Sequence, residues 1–410
     1  MLDIRQIRND PEGVKAALAR RGPEEPAKVD RVLELDGRWR GLTTAAEETR
    51  AQQNRASKAL RGAPTPEQRE ELAGLSARSK ELAEQEAVVR AEREGALLSL
   101  ENIPATDAAD ADTVVKQVGS TEKTGRDHLE LAGGRIDMER GARLSGSRFA
   151  YLRGGVALLE MAVIRYAFEK LGGYGFEAVI PPVLTREEAL YGTGFLPDTE
   201  QQLYEVPDDD LYLVGTSEVA LASMHREEIL ELAELPARYA GLSSCFRREA
   251  GAGGRDTRGI FRVHQFDKVE MFCFVEPSRS AEEHERILSI EESICADLEL
   301  PYRVVNIAVD DLGPSAAKKY DIEVWLPGQG QYRELTSCSN TTDFQARRLD
   351  ARYRAEDGRP AHLHTLNGTA VTGSRTIVAL LENGQQADGS IVLPDALVAV
   401  GAPKTLPAAA

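Results

Sequence analysis

Residues 27–102 constrain the fold more than any other stretch of this chain. Val32, Leu35, Trp39, Leu42, Ala46, Thr49, Gln53, Ala56 and Leu60 recur at alternating steps of three and four, the seam of a coiled coil. Gly62-Ala-Pro-Thr-Pro66 interrupts the pattern, and Pro with Gly there stops a helix and permits a reversal. Leu72, Leu75, Leu82, Val89 and Ala96 then carry a second seam. The expectation is an antiparallel helical hairpin of two ~35-residue helices, about 50 Å long. The polar Gln53 near the reversal implies loose packing at the tip. Arg50, Arg55, Lys58 and Arg61 crowd residues 49–62, a segment with no acid. Such a run is either a solvated face or a phosphate-contacting end.

After Asn102–Asp112, which reads as a linker, the pattern becomes mixed. A helix is predicted over Val156–Leu171 and strands over Ala178–Val183, Tyr302–Val309 and Tyr320–Trp325. Their irregular interleaving predicts an α+β domain on a mainly antiparallel sheet. The expected domains are 1–112 and 113–410, with a frayed tail from about Ala402.

Charge sharpens the next observation. The 410 residues carry 50 Lys and Arg against 67 Asp and Glu, a formal net charge of -17. A generic basic coat for nucleic acid is excluded; a local basic patch is not. Yet Cys245–Met271 concentrates arginines: Arg247, Arg248, Arg255, Arg258 and Arg262. Its ends, Leu242–Phe246 and Val269–Val275, read as strands, and the Gly- and Arg-rich middle, 250–259, as a mobile loop. Two strands with a basic loop can hold a polyphosphate. Arg247 offers a bidentate fork to a phosphate, Arg255, Arg258 and Arg262 can gather around the remaining charge, and Phe266 presents a ring face to a purine.

The opening Phe-Arg-x-Glu-Ala-Gly of that stretch and its closing Arg-Val-His-Gln-Phe-x-Lys-Val-Glu resemble motif 2 of class II aminoacyl-tRNA synthetases, and the seryl-tRNA synthetase family in particular. Other segments match in order. Asp3-Ile-Arg-x-Ile-Arg-Asn-Asp-Pro-Glu resembles that family's amino terminus, and the hairpin its tRNA-binding arm. Gly175–Pro182 resembles motif 1, with a Pro at the dimer interface; Gly215-Thr-Ser-Glu218 resembles the serine-binding loop. Glu334–Arg348 resembles the segment that binds ATP and its metal, and Leu366–Asn383 motif 3. The match departs at Ala370 and Ser374, where the family often has Gly, at Gly384, where an aromatic residue or His is common, and in the linker 105–112.

The resemblance implies a homodimeric ligase that activates L-serine with ATP to seryl-adenylate and transfers serine to the 3′ end of tRNA(Ser); tRNA(Sec) is left open as a second acceptor. Arg247, Glu270 and Arg375 would be catalytic. ATP would be held by Arg247, Arg248, Glu249, Arg258, Arg262, Val263, Phe266, Glu334, Leu335, Thr336, Ser337 and Arg375. Within that set Glu249 would read the adenine amino group, and Phe266 and Arg375 would sandwich the base. Serine would be held by Thr216, Ser217, Glu218, Arg247, Glu270, Asn367 and Thr369. Mg²⁺ accompanying ATP would be bound by Glu334 and Ser337, oxygen donors suited to a hard cation. Arg50, Arg55, Lys58 and Arg61 would contact tRNA phosphates. A site built to bond a hydroxyl rejects analogues lacking one by ~10⁴, so no editing domain is required. Two rivals stay open: a specialised paralogue supplying seryl-tRNA to a biosynthetic pathway or conferring resistance to a serine analogue, and a binding protein on an inactive scaffold.

Cysteines 245, 273, 295 and 338 are too dispersed for a knuckle or CxxC pair, so no structural zinc is expected. No apolar run approaches the ~20 residues that span a bilayer, and the opening residues mix charges unlike a secretory leader. A cytoplasmic protein without membrane contact is the expectation.

Overall fold

The computed structural model describes residues 1–60, 62–197, 202–250, 256 and 258–409. Arg61, Arg255 and most of the loop 250–259 lie outside these. The chain divides into two compact units, Met1–Ile103 and Pro104–Ala410.

In the first unit two short helices, Ile4–Asn9 and Pro11–Leu18, precede the long pair α1 (Glu25–Ala59) and α2 (Pro66–Leu98). Thr65 caps α2 in a reciprocal box with Gln68, and Pro66 starts the helix, where its missing N–H costs nothing. Asp36 is buried in the seam and takes a bidentate pair from Arg8 and a bond from Arg93 Nε at 2.9 Å. Val29, Val32 and Leu35 of α1 and Val89 and Leu97 of α2 are buried at this end. Beyond Thr49 and Leu82, toward the turn, no described hairpin residue is buried. Arg50, Arg55 and Lys58 are exposed there.

The second unit is organised by an eight-stranded sheet. Its strands are β1 (Thr113–Val118), β2 (Glu177–Val179), β3 (Ala237–Phe246), β4 (Gln265–Val275), β5 (Tyr302–Asn306), β6 (Lys318–Leu326), β7 (Gln331–Thr342) and β8 (His364–Thr372). The order across the sheet is β1-β5-β6-β7-β8-β4-β3-β2. Every pair is antiparallel except β2 with β3. Helices α3 (Gly155–Gly173), α4 (Ser280–Asp297) and α5 (Gly373–Gly384) cover one face. Val269, Met271, Cys273 and Val275 of β4 point into that core beside Ile287, Ile290 and Ile294 of α4. The period-2 alternation sends Phe266, Lys268 and Glu270 to the other face, where a cavity lies.

Two β-bulges adjust this alternation. Ile322 pairs with Thr336 but Glu323 with Glu334, leaving Leu335 as an extra residue in β7. Val269 pairs with Val371 but Glu270 with Thr369, leaving Ala370 extra in β8. An extra residue resets the face to which later side chains point. Glu334 and Ser337, three apart, therefore both line the cavity, as do Thr369 and Thr372.

Several expectations change. The segment 105–112 is built into the second unit rather than bridging to it: Ala105 N–H donates to the Ala317 carbonyl at 2.8 Å, and Ala109 bridges to Ala308. The alanine methyl of Ala108 is small enough to pack beside Val305 and Ile307. The tail is not frayed at Ala402: Thr405–Leu406 pairs with Ile391–Val392, and Leu406 is buried in the main core. Of the strand read as Ala178–Val183 only Ala178 and Val179 are in a strand, which runs Glu177–Val179.

Candidate active site

A cavity of about 400 Å³ opens where β7 and β8 part company. Its two ends differ in charge.

At one end stand buried carboxylates. Glu218 starts the short helix Glu218–Ala222 and is 8% exposed. Its Oε1 accepts from Gln345 Nε2 at 2.7 Å and from Asn367 Nδ2 at 3.0 Å. Burial, reinforced by the neighbouring Glu270, pushes its carboxyl up to about 7. Glu270 on β4 is also buried, and its Oε2 meets Lys268 Nζ at 2.5 Å and lies 3.4 Å from the Thr369 hydroxyl. Thr216 lines the wall, and its hydroxyl accepts from the Glu218 N–H at 3.2 Å. This end can take an ammonium and a hydroxyl.

At the other end stand guanidinium groups. Arg247 follows β3; its N–H donates to the His264 carbonyl and its Nε to the Gly215 carbonyl at 3.2 Å. The guanidinium lies 5.4 Å from the Phe266 ring centroid. Arg375, in the first turn of α5, pairs with Glu334 Oε1 at 3.0 Å. Arg333 and Arg375 both lie over Phe261, at 4.1 and 4.9 Å from its centroid. The cavity wall partly desolvates Glu334, but the charges of Arg375, Lys319 and Arg247 outweigh this and hold the carboxyl below its ordinary range. Asp321 is placed beside it; burial pushes its carboxyl up to about 7 against the pull of Lys319. Glu334 and Ser337 present carboxylate and hydroxyl oxygen from neighbouring positions of one bulged strand, a donor set that fits a hard divalent cation.

The cavity thus brings together Thr216, Glu218, Arg247, Phe266, Glu270, Glu334, Leu335, Ser337, Asn367, Thr369 and Arg375. Other expected residues lie elsewhere. Ser217 turns its hydroxyl to the Gly241 carbonyl at 3.1 Å, and Thr336 turns its hydroxyl into the core. Glu249 and Arg262 are paired with each other at 2.5 Å. Arg258 reaches Asp127 at 3.1 Å, away from the cavity. Val263 lines a second cavity of about 170 Å³, with Phe266 as the shared wall, and Arg248 lines a third. Lys268, Lys319, Gln345 and Phe261 were not singled out from sequence. Lys268 alone had a signal, the Lys-Val-Glu alternation that puts it on the face of Glu270; the others reach the site through tertiary packing.

The chain's relatives agree with this chemistry. Residues 1–104 match the model for the seryl-tRNA synthetase N-terminal domain. Residues 203–384 match that for the tRNA synthetase class II core domain (G, H, P, S and T). The serine–tRNA ligase of Nocardia farcinica is 50% identical, covering 97% of this chain and 97% of the relative. That of Thermobifida fusca is 49% identical over 97% and 96%. Among solved structures, the seryl-tRNA synthetase of Pyrococcus horikoshii complexed with ATP superposes with a TM-score of 0.94 at 39% identity, covering 100% of both chains. The cytoplasmic serine–tRNA ligase of Naegleria fowleri in complex with AMP gives 0.89 at 32%, over 100% and 99%. Full-length identity of this order, two family domains in sequence and a cavity with paired cationic and carboxylate ends lead to one conclusion: the chain belongs to the seryl-tRNA synthetase family of class II aminoacyl-tRNA synthetases.

Proposed function

We propose that this protein is a serine–tRNA ligase that activates L-serine with ATP and transfers the seryl group to the 3′ end of tRNA(Ser). The observation that carries the reading is the division of one cavity: Arg247 and Arg375 at one end, Glu218 and Glu270 at the other. A serine carboxylate oxygen attacks the α-phosphorus; the P–O bond to the β-phosphate breaks and pyrophosphate leaves. The terminal ribose hydroxyl of tRNA then attacks the seryl carbonyl and AMP leaves. Neither step requires a nucleophilic side chain, so positioning and charge neutralisation carry catalysis.

Arg247 holds the α-phosphate beside the attacking carboxylate, and Arg375 the outer phosphates. Glu218 and Glu270 take the ammonium and hydroxyl of serine, with Thr216, Asn367 and Thr369 fixing their orientation. Glu334 and Ser337 would hold Mg²⁺, which neutralises phosphate charge when bound. Phe266 offers its ring to adenine. The hairpin serves as the tRNA arm, with Arg50, Arg55 and Lys58 on backbone phosphates. A homodimer is supported by large apolar side chains left open to solvent on and near α3: Leu158, Met161 and Ile180. Four cysteines, all buried free thiols, fit a cytoplasmic setting; among the described residues no helix is long and apolar enough to cross a membrane.

ATP–pyrophosphate exchange with each of the twenty amino acids, followed by charging of total tRNA, tests the assignment. Exchange with serine and charging of serine acceptors are expected; exchange that ignores serine overturns it.

A further inference from the structure

Lys268 and Glu270 stand two residues apart on β4, with Val269 between them turned into the core. The alternation of a strand puts both side chains on the cavity face. Lys268 is 6% exposed and Glu270 2%. A lysine is seldom buried so far unless it is paired, and here it lies in the wall of a cavity end that is otherwise acidic.

The two carboxylates of that end are tied down differently. Both donors to Glu218 converge on Oε1: Gln345 Nε2 at 2.7 Å and Asn367 Nδ2 at 3.0 Å. Both partners of Glu270 converge on Oε2: Lys268 Nζ at 2.5 Å and the Thr369 hydroxyl at 3.4 Å. Among the described residues neither second oxygen takes a hydrogen bond. Each carboxylate thus keeps one oxygen for a substrate, but the company it keeps is unlike. The partners of Glu218 are neutral amides, so its charge stays uncancelled whenever the carboxyl is ionised. The partner of Glu270 is a cation. An ammonium bonded to the second oxygen of Glu270 would stand roughly 5 Å from the Lys268 ammonium, and like charges that close at an effective dielectric of about 20 disfavour binding by ~10². A hydroxyl there donates the same hydrogen bond and meets no such repulsion.

We propose that Lys268 is a specificity-determining residue for the amino acid: by cancelling the charge of Glu270 it reserves that carboxylate for a neutral side-chain hydroxyl and sends the ammonium to Glu218. Its role is one of positioning, exerted through Glu270. The proposal rests on the reading of this end as the serine subsite.

The probe is L-2,3-diaminopropionate, which carries a side-chain ammonium where serine has its hydroxyl. Pyrophosphate exchange gives kcat/KM for serine and for the probe at neutral pH, read beside a thermal melt. Wild-type protein should prefer serine by at least ~10². Lys268→Met, neutral and of similar length, should shrink that preference by about the same factor, with serine used less well and the probe better. A proportional loss with both amino acids is what a merely structural lysine produces, and a ratio unchanged in this way overturns the proposal. If Lys268→Met does not fold, Lys268→Gln removes the charge in its place and is read identically. Wild-type protein also decides by itself: a Ki of the probe against serine exchange ~10² above the serine KM supports the proposal, and a Ki comparable to that KM overturns it. Wild-type protein without serine-dependent exchange overturns the subsite reading, whereas normal serine exchange with a preference indifferent to Lys268 overturns this proposal alone.

Discussion

Arg375 Nη1 lies 3.0 Å from Glu334 Oε1 and 3.2 Å from the Glu334 carbonyl, so one guanidinium holds both the side chain and the strand that bear the candidate metal ligand. The Arg375 side chain is 21% exposed and that of Glu334 46%. A pair this open contributes little to folding, about 1 kcal/mol or less. Arg375→Ala should therefore leave the melting temperature nearly unchanged. Its loss should fall on the transition state, where a preorganised cation facing developing phosphate charge contributes roughly 3–4 kcal/mol. Exchange should drop by about 10²–10³. A parallel fall in melting temperature and activity would mean that the pair is structural.

Arg247 is anchored at its backbone by His264 and at its Nε by the Gly215 carbonyl, which leaves the rest of the planar fork for substrate. Arg247→Ala should abolish serine-dependent exchange. Arg247→Lys should not rescue it, because an ammonium lacks the two parallel donors. Exchange kinetics of the two variants check this, and near-normal rates in either would remove Arg247 from the phosphate end.

Glu218 links the site to pH. Its carboxyl titrates at about 7, above the ordinary 4.5. Between those values the folded protein holds a proton that the unfolded chain has released. Stability from this group is present below the lower value and declines as pH rises through the higher one. Serine binding runs the other way, since its ammonium favours the ionised carboxylate. The serine KM should fall as pH rises through about 7 and level off about one unit higher. Glu218→Gln should bind serine weakly with that inflection gone; a serine KM measured in exchange from mildly acidic to mildly basic pH decides it.

Gly384 tests whether a departure from the family pattern is compensated within the fold. A Cβ at this position would stand 2.4 Å from the Val392 carbonyl oxygen and 2.9 Å from Ile391 Cγ2. Val392 pairs with Thr405 in the two-stranded element that secures the tail. Gly384→Ala should destabilise by about 1–3 kcal/mol through overpacking, measurable in a thermal melt. Exchange measured well below the melting temperature should remain intact, because Gly384 does not line the cavity.

The hairpin was legible because a coiled-coil seam is a local code: each of Val32, Leu35, Trp39, Leu42, Ala46 and Thr49 is buried or half-buried. The antiparallel strands flanking the Arg-rich loop were legible from short apolar runs, although β3 and β4 extend further and pair from Phe246–Gln265 to Ala237–Phe274. The cavity residues Glu334 with Ser337, and Thr369 with Thr372, were not separable by period-2 reasoning. Bulges at Leu335 and Ala370 put odd-spaced residues on one face, and register is a property of two strands together. That Glu249 and Arg262 pair with each other is likewise a property of the fold, invisible in either position alone.

The arm separates the two half-reactions. Arg50, Arg55 and Lys58 are exposed and have no carboxylate partner among the described residues, so replacing them removes charge without breaking an ion pair. Toward the turn the hairpin contains no buried described residue past Thr49 and Leu82, so the change should not unfold it. In the triple variant Arg50→Ala, Arg55→Ala, Lys58→Ala, exchange should keep its wild-type rate, because adenylate forms without tRNA. Charging should weaken through a higher KM for tRNA. Each phosphate contact releases counterions, so the slope of log affinity against log salt should become shallower by roughly two to three. Filter binding across a salt series, with exchange measured on the same preparations, checks both halves. Weaker charging with an unchanged salt slope would mean that these cations do not meet phosphates, and equal losses of exchange and charging would mean that the hairpin supports the fold instead.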